Sequence, residues 1–288
     1  VIPSFAVGRT QEILYELNKL KEERNDQEFI EKYETISKEI IENCPNLGGT
    51  LDLNNSALIQ EVKARGTSVT NFLPPETLKN LVTLELPNTI NSLSLNDASS
   101  LETLKFDEGV AMHSITLSNC PGITAAENFD LTKIPFVTLD GSYDTEELYM
   151  SETTGLTLRN MKNMERVIFI PNSEYSEFDI NNVLGAKNYR VTTSNCPKLK
   201  TFMTTAPFRD SYNGDYGDIK PNAVFTANTL DLSSTQFTDV KLLCTTDVYN
   251  LKVPTTMKNF YCDSAMDIDT DVIEDASYEV VHNELIEP

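Results

Sequence analysis

The sequence predicts a mainly β repeat solenoid, with coils of about 20–22 residues behind an N-terminal α-helical cap. One observation is a run of short apolar-x-apolar pieces from about residue 47 onward, with little helical periodicity. A second is an Asn or Asp that recurs two positions after the second apolar residue. The third is the spacing of these pieces, which advance by steps of about eleven residues, two to a coil.

Composition sets the frame. The chain has 288 residues and 40% hydrophobic content, enough for one large domain or two ordinary ones. With 23 basic and 44 acidic residues the formal charge is −21, which repels phosphate backbones and anionic lipid. Nucleic-acid binding and membrane insertion are therefore not expected. No apolar run approaches the ~18–20 residues of a spanning helix, and no signal-peptide core opens the chain. The chain starts at Val1, as expected of a processed or excised chain, and secretion stays open. Modest Gly and Pro, 11 and 13, argue against a fibrous or disordered polypeptide.

The N-terminal region, 1–45, reads as the cap. Ile13, Leu14, Leu17 and Leu20 fall at helical spacing, and Phe29, Ile30, Tyr33, Ile36, Ile40 and Ile41 continue the stripe beyond a polar break at Asn25-Asp26. Asp26 suits an N-cap. The stripe would pack against the remaining chain, or residues 10–43 would drive self-association as a coiled-coil stem.

Residues 46–262 form the predicted solenoid. Asn-Cys-Pro begins at Asn43, Asn119 and Asn195, an equal interval of 76 residues that points to internal repetition. The wider template is met at Leu51, Leu53, Asn55 and Ile59, and at Leu93, Leu95, Asp97 and Leu101. It recurs at Ile115, Leu117, Asn119 and Ile123, and at Leu156, Leu158, Asn160 and Met164. Looser matches fall at Phe178, Ile180, Asn182 and Ala186 and at Val191, Thr193, Asn195 and Leu199. Second pairs such as Leu104-x-Phe106 and Val167-x-Phe169 follow, and the interval from 115 to 137 reads as a double step. One such piece cannot stand alone, whereas stacked coils bury a continuous core. Asn55, Asp97, Asn119, Asn160 and Asn195 are then corner residues, because a short polar side chain tolerates left-handed backbone and bonds to unpaired backbone groups. A two-sheet sandwich is the competing architecture.

The stretches NLVTLELPNTINSLSLNDASSLETLKF, SNCPGI and SNCPKLKTF, with Leu86-Pro87, resemble the irregular (BspA-like) leucine-rich-repeat families of bacterial surface proteins and gut viruses. The resemblance implies a leucine-rich-repeat-like solenoid and a cell-surface or secreted adhesin of a bacterium. It departs from the common repeat in placing the Asn two residues, not three, after the second apolar position.

Other segments break the pattern. Residues 206–222 read as an inserted loop whose Tyr212, Asn213, Asp215 and Tyr216 offer rigid aromatic area beside adaptable polar groups. Residues 263–288 form an acidic C-terminal cap or tail without Lys or Arg. There, Asp267, Asp269 and Asp271 resemble the start of a calcium loop, but Val272 and Tyr278 stand where Gly and Glu are required. An EF-hand is rejected, no cofactor is expected, and a looser calcium site is the alternative to a solvated acidic surface. The five cysteines are odd in number and too widely spaced for metal knuckles, so buried thiols are expected. His113 and His282 have no recognisable catalytic partners, and no nucleophile elbow or phosphate loop is present.

The resulting expectation is a non-enzymatic protein-interaction or adhesion module, steered toward basic partners by its charge. The alternatives are a structural component of a bacterial virion and a carbohydrate-active enzyme on a solenoid scaffold.

Overall fold

The computed structural model describes residues 45–54, 56, 58–76, 78–123, 126–127, 130–170, 187–204, 224–242 and 245–262. The chain divides into two compact units. The first comprises the described residues up to Asp130 together with Thr138–Tyr143, and the second holds Leu131–Val137 and those from Asp144 onward.

The first unit contains β1 (Gly48–Asp52), β2 (Glu61–Lys63), β3 (Ser68–Leu73), β4 (Thr83–Leu86), β5 (Ser92–Asn96), β6 (Thr103–Phe106), β7 (Ser114–Ser118) and β8 (Ala126–Glu127). It also takes the 138–140 end of β9 (Phe136–Asp140). β1 pairs with β3, β2-β4-β6-β8 form one sheet, and β5, β7 and β9 follow one another in another. Thr83 pairs with Thr103 and Ser92 with Ser114, both parallel. Successive strands in sequence thus alternate between sheets, as two half-steps per coil require. Leu84, Leu86, Leu93, Leu95, Leu104 and Phe106 are all buried, and the alternating Ser, Thr, Glu and Lys positions point outward.

The last apolar residue of the template has a defined task. Leu101 donates its N–H to the Ala98 carbonyl at 3.1 Å, and Ile123 donates to Cys120 at 3.3 Å. Each closes a tight turn and drops its own side chain into the core, which fixes the three-residue spacing after the corner.

The second unit contains β10 (Glu147–Met150), β11 (Gly155–Arg159), β12 (Arg166–Phe169), β13 (Lys187–Ser194), β14 (Thr201–Thr204), β15 (Val224–Ser234), β16 (Asp239–Leu242), β17 (Thr245–Val248), β18 (Leu251–Lys252) and β19 (Asn259–Cys262). One sheet runs β10-β12-β14-β16-β19. In the other, β11, β13 and β15 are neighbours, and β15 carries both β17 and β18. Its core is aromatic: Phe169 and Phe202 have centroids 5.5 Å apart, Phe202 and Phe237 5.7 Å, and Tyr189 meets Phe169 edge-on at 5.6 Å. Burial, with the Glu152 charge adding to it, pushes the Tyr189 hydroxyl up to about 12.

The ladders of both units are parallel, the arrangement of a solenoid-like stack and not of an antiparallel sandwich. Several expectations need correction. The double step after residue 115 conceals β8, in which Ala126 takes the register position next to Leu104; an Ala-Glu pair carries too little apolar signal to be read as a strand. The match at Phe178–Ala186 lies outside the described residues, and β11 pairs directly with β13 and β12 with β14, leaving no rung between them. The coil length is accordingly not uniform: Ser92 reaches Ser114, but Arg166 pairs with Thr201 and Thr201 with Asp239. Between Asn119 and Asn195, both left-handed corners followed by a buried Cys, the intervening corners fall at unequal spacing, and Asn43 lies outside the described residues. The helical cap at 1–45 lies outside the described residues apart from Pro45, and the 206–222 loop and 263–288 segment lie outside them entirely.

Candidate functional site

The corner residues show how the sequence fixes the backbone. Asp97, Asn119, Asn160 and Asn195 have φ of 55°, 51°, 54° and 53°, the left-handed region that most side chains avoid. In the first unit Asn119 Nδ2 donates to Asp97 Oδ1 at 2.7 Å; in the second, Asn195 Nδ2 donates to Asn160 Oδ1 at 2.5 Å. Their backbone repeats one pattern: Asp97 N–H donates to Ser118 O at 3.0 Å, and Asn119 N–H to Asp140 O at 2.8 Å. Gly141, which follows Asp140, takes the same turn at φ 58°. Asn55 lies outside the described residues.

Cys120 and Cys196 follow two of these corners, and both are free and buried. Each thiol reaches the carbonyl two residues back, at Ser118 and Ser194, both at 3.3 Å. Burial pushes the Cys120 thiol up, against the opposing hydrogen bonds from Ala98, Ser142 and Ser118. These side chains fill the core.

Tyr212, Asn213, Asp215 and Tyr216, and the carboxylates Asp267, Asp269 and Asp271, lie outside the described residues. Among the described residues no group of three His, Cys, Asp or Glu is arranged to hold a metal ion, and His113 is exposed.

What remains are outward sheet faces. In the first unit the β2-β4-β6 face is charged. Lys63, Glu85 and Lys105 stand side by side in register, and Arg65 Nε donates to Asp107 Oδ1 at 3.0 Å across two rungs. In the second unit, the β10-β12-β14-β16-β19 sheet carries an in-register row of Tyr149, Ile168, Met203, Lys241 and Tyr261, in which Ile168 is buried and the other four are partly exposed. Lys241 Nζ sits 5.1 Å from the Tyr261 ring centroid. A polar row flanks it: Arg166 pairs with Glu147 at 3.2 Å and Asn259 Nδ2 donates to Asp239 Oδ1 at 2.7 Å. Tyr149 donates its hydroxyl to Glu147, which raises the phenol above its usual range, and burial adds to the effect.

The other sheet of this unit presents a different surface. Gly155, Thr157 and Arg159 alternate outward along β11, opposite Arg190, Thr192 and Ser194 on β13. The Phe136 ring lies against Gly155, where an added Cβ would come within 2.6 Å of Phe136 Cδ1. The ring is 46% exposed. Beyond Arg190 stand Asp231 and Lys252, paired at 3.7 Å. None of these residues stands out in the sequence. The alternation Gly155-x-Thr157-x-Arg159 and Arg190-x-Thr192-x-Ser194 is legible there, but the pairing needs a register that spans 35 residues.

No protein-family model, curated protein or solved structure matches the chain.

Proposed function

We propose that this protein is a non-enzymatic interaction or adhesion module that uses its sheet faces as binding surfaces, in the manner of the leucine-rich-repeat solenoids its sequence resembles. The observation that carries the reading is the row in which Tyr149, Met203, Lys241 and Tyr261 are partly exposed, with the buried Ile168 standing between Tyr149 and Met203. Tyr and Met are side chains that interfaces favour, because each offers a large adaptable contact area. Glu147 and Asp239 beside the row, with the −21 charge of the chain, favour a basic protein partner and accelerate its encounter. A bacterial cell surface or secreted setting accords with this reading.

The test is binding of the intact chain to a panel of basic proteins by surface plasmon resonance, with Tyr261→Ala and Met203→Glu alongside. Saturable binding that both substitutions weaken supports the reading. Binding indifferent to both overturns the assignment of this face. Release of product from any glycan in a parallel turnover assay overturns the non-enzymatic reading.

A further inference from the structure

We infer that Asn54 is an N-glycosylation site, the acceptor to which an oligosaccharyltransferase moves a glycan from a lipid-linked donor. The inference concerns one corner of the first unit and does not depend on the protein-binding reading.

Asn54-Asn55-Ser56 is the only Asn-x-Ser/Thr triplet in the chain. The triplet needs a hydroxyl two residues after the acceptor, and Ser56 carries it. Asp52, two residues before the acceptor, extends the signal to Asp-x-Asn-x-Ser. An acidic group at that place is what bacterial transferases require in addition, whereas those of eukaryotes do without it.

The fold presents these residues to solvent. Leu51 and Leu53 are buried, and Asp52 and Asn54, alternating with them, are exposed. Asn54 donates its backbone N–H to Asp52 Oδ1 at 3.0 Å, so acid and acceptor share one Asx turn at the end of β1. Ser56 is half-buried and donates its N–H to the Leu53 carbonyl at 2.8 Å, which closes the next turn. The repeat template gives the corner duty to position 55, and the side-chain amide of Asn54 makes no hydrogen bond with a described residue. Asn119 and Asn195 differ on both counts: their amides tie one rung to another, and Pro stands two residues after each. Leu73, in register beside Asp52, and Leu58 beyond the turn are both exposed. A glycan rooted between them would shield apolar surface that this corner leaves in water.

The step is a substitution at the anomeric carbon, C1, of the donor's first sugar. The bond from Asn54 Nδ2 to C1 forms, and the C1–O bond to the lipid pyrophosphate breaks. The pyrophosphate leaves with the electron pair and takes up the amide proton, so no oxidant or reductant is needed. Because the glycan is joined covalently, the −21 charge of the chain does not oppose its retention.

The experiment incubates the intact, folded chain with a bacterial oligosaccharyltransferase and a lipid-linked oligosaccharide, with a standard acceptor peptide as control. Intact mass and tryptic peptides are then read by mass spectrometry. A gain of one glycan, confined to the peptide 39–63, is expected. Asn54→Gln and Ser56→Ala should abolish it. Asp52→Asn keeps an oxygen for the Asn54 N–H but removes the charge; it should abolish modification by the bacterial enzyme and leave modification by a eukaryotic one unchanged. Exposed Asn250→Gln should change nothing. Thermal midpoints of all variants, recorded in parallel, confirm that they fold. The inference is overturned if the folded chain gains no glycan while a free peptide of residues 50–58 does, because the corner then withholds Asn54. It is overturned equally if only the standard acceptor is modified, or if Asn54→Gln is modified as the parent is. None of these outcomes touches the Tyr149–Tyr261 face, whose own test uses proteins.

Discussion

Asn195 donates its side-chain amide to the amide oxygen of Asn160 at 2.5 Å, and the two corners share the left-handed backbone, φ 53° and 54°. Asn119 and Asp97 reproduce the same relation in the first unit at 2.7 Å. The corner residue therefore has two jobs, turning the backbone and tying one rung to the next.

These jobs separate under substitution. Asn119→Ala loses the side-chain bond and leaves a β-carbon in the left-handed region without the polar group that offsets its strain, costing about 1–2 kcal/mol. Asn119→Gly loses the bond but adopts the turn freely, as Gly141 does at φ 58°. Urea denaturation should rank Asn above Gly above Ala; equal losses for Gly and Ala would show that backbone strain is not what selects the residue.

Cys120 and Cys196 should resist thiol reagents in the folded protein. Both are buried, and burial holds the Cys120 thiol above its ordinary value, so less thiolate exists at pH 8 than at a free cysteine. Alkylation mapped by mass spectrometry should label the two sites only after denaturant is added. Rapid labelling of either in native buffer would contradict their packing in the core.

Asp231 gives the stability a pH dependence. Burial alone would raise its carboxyl, but the Ser233 side-chain and backbone bonds and the Lys252 and Arg190 charges outweigh burial and hold it below the usual 3.8. A carboxyl depressed in the folded state stabilises above its unfolded value, and that contribution disappears as pH falls through the lower folded value. Asp231→Asn should therefore be less stable than the parent at pH 7, with the gap closing below about pH 4. A gap constant from pH 7 to pH 3 would rule this out.

Gly122 is needed for space. A Cβ there would come within 2.5 Å of the Leu101 carbonyl oxygen, a backbone atom that cannot rotate away. Gly122→Ala should cost about 1–3 kcal/mol in a denaturant titration. Phe202→Ala, which opens the ring column between Phe169 and Phe237, should cost more, about 3–5 kcal/mol.

Much of the fold could be read from residue order. Leu93-x-Leu95 with Leu101, and Ile115-x-Leu117 with Ile123, are buried where the template places them. The corners at 97, 119, 160 and 195 turn as their short polar side chains allow. The misreadings share one cause. Ala126-Glu127 in β8 and the uneven spacing of the corners are settled by which strand lies beside which, a relation that residue order does not carry. The candidate surfaces were illegible for the same reason. Arg190 and Gly155 are 35 positions apart yet adjacent, and the seat of the Phe136 ring on Gly155 exists only in the folded chain.

By itself, then, the sequence determined the local code: alternation that sends one side chain inward and the next outward, amide corners that permit a left-handed turn, and small thiols beside them. That code is short-ranged, set by sterics and hydrogen bonding within a few residues. Tertiary structure decided the register between rungs, and with it which outward residues become neighbours. Register depends on closing loops of unequal length and burying the aromatic column from Phe169 to Phe237, energies that arise only between segments distant along the chain.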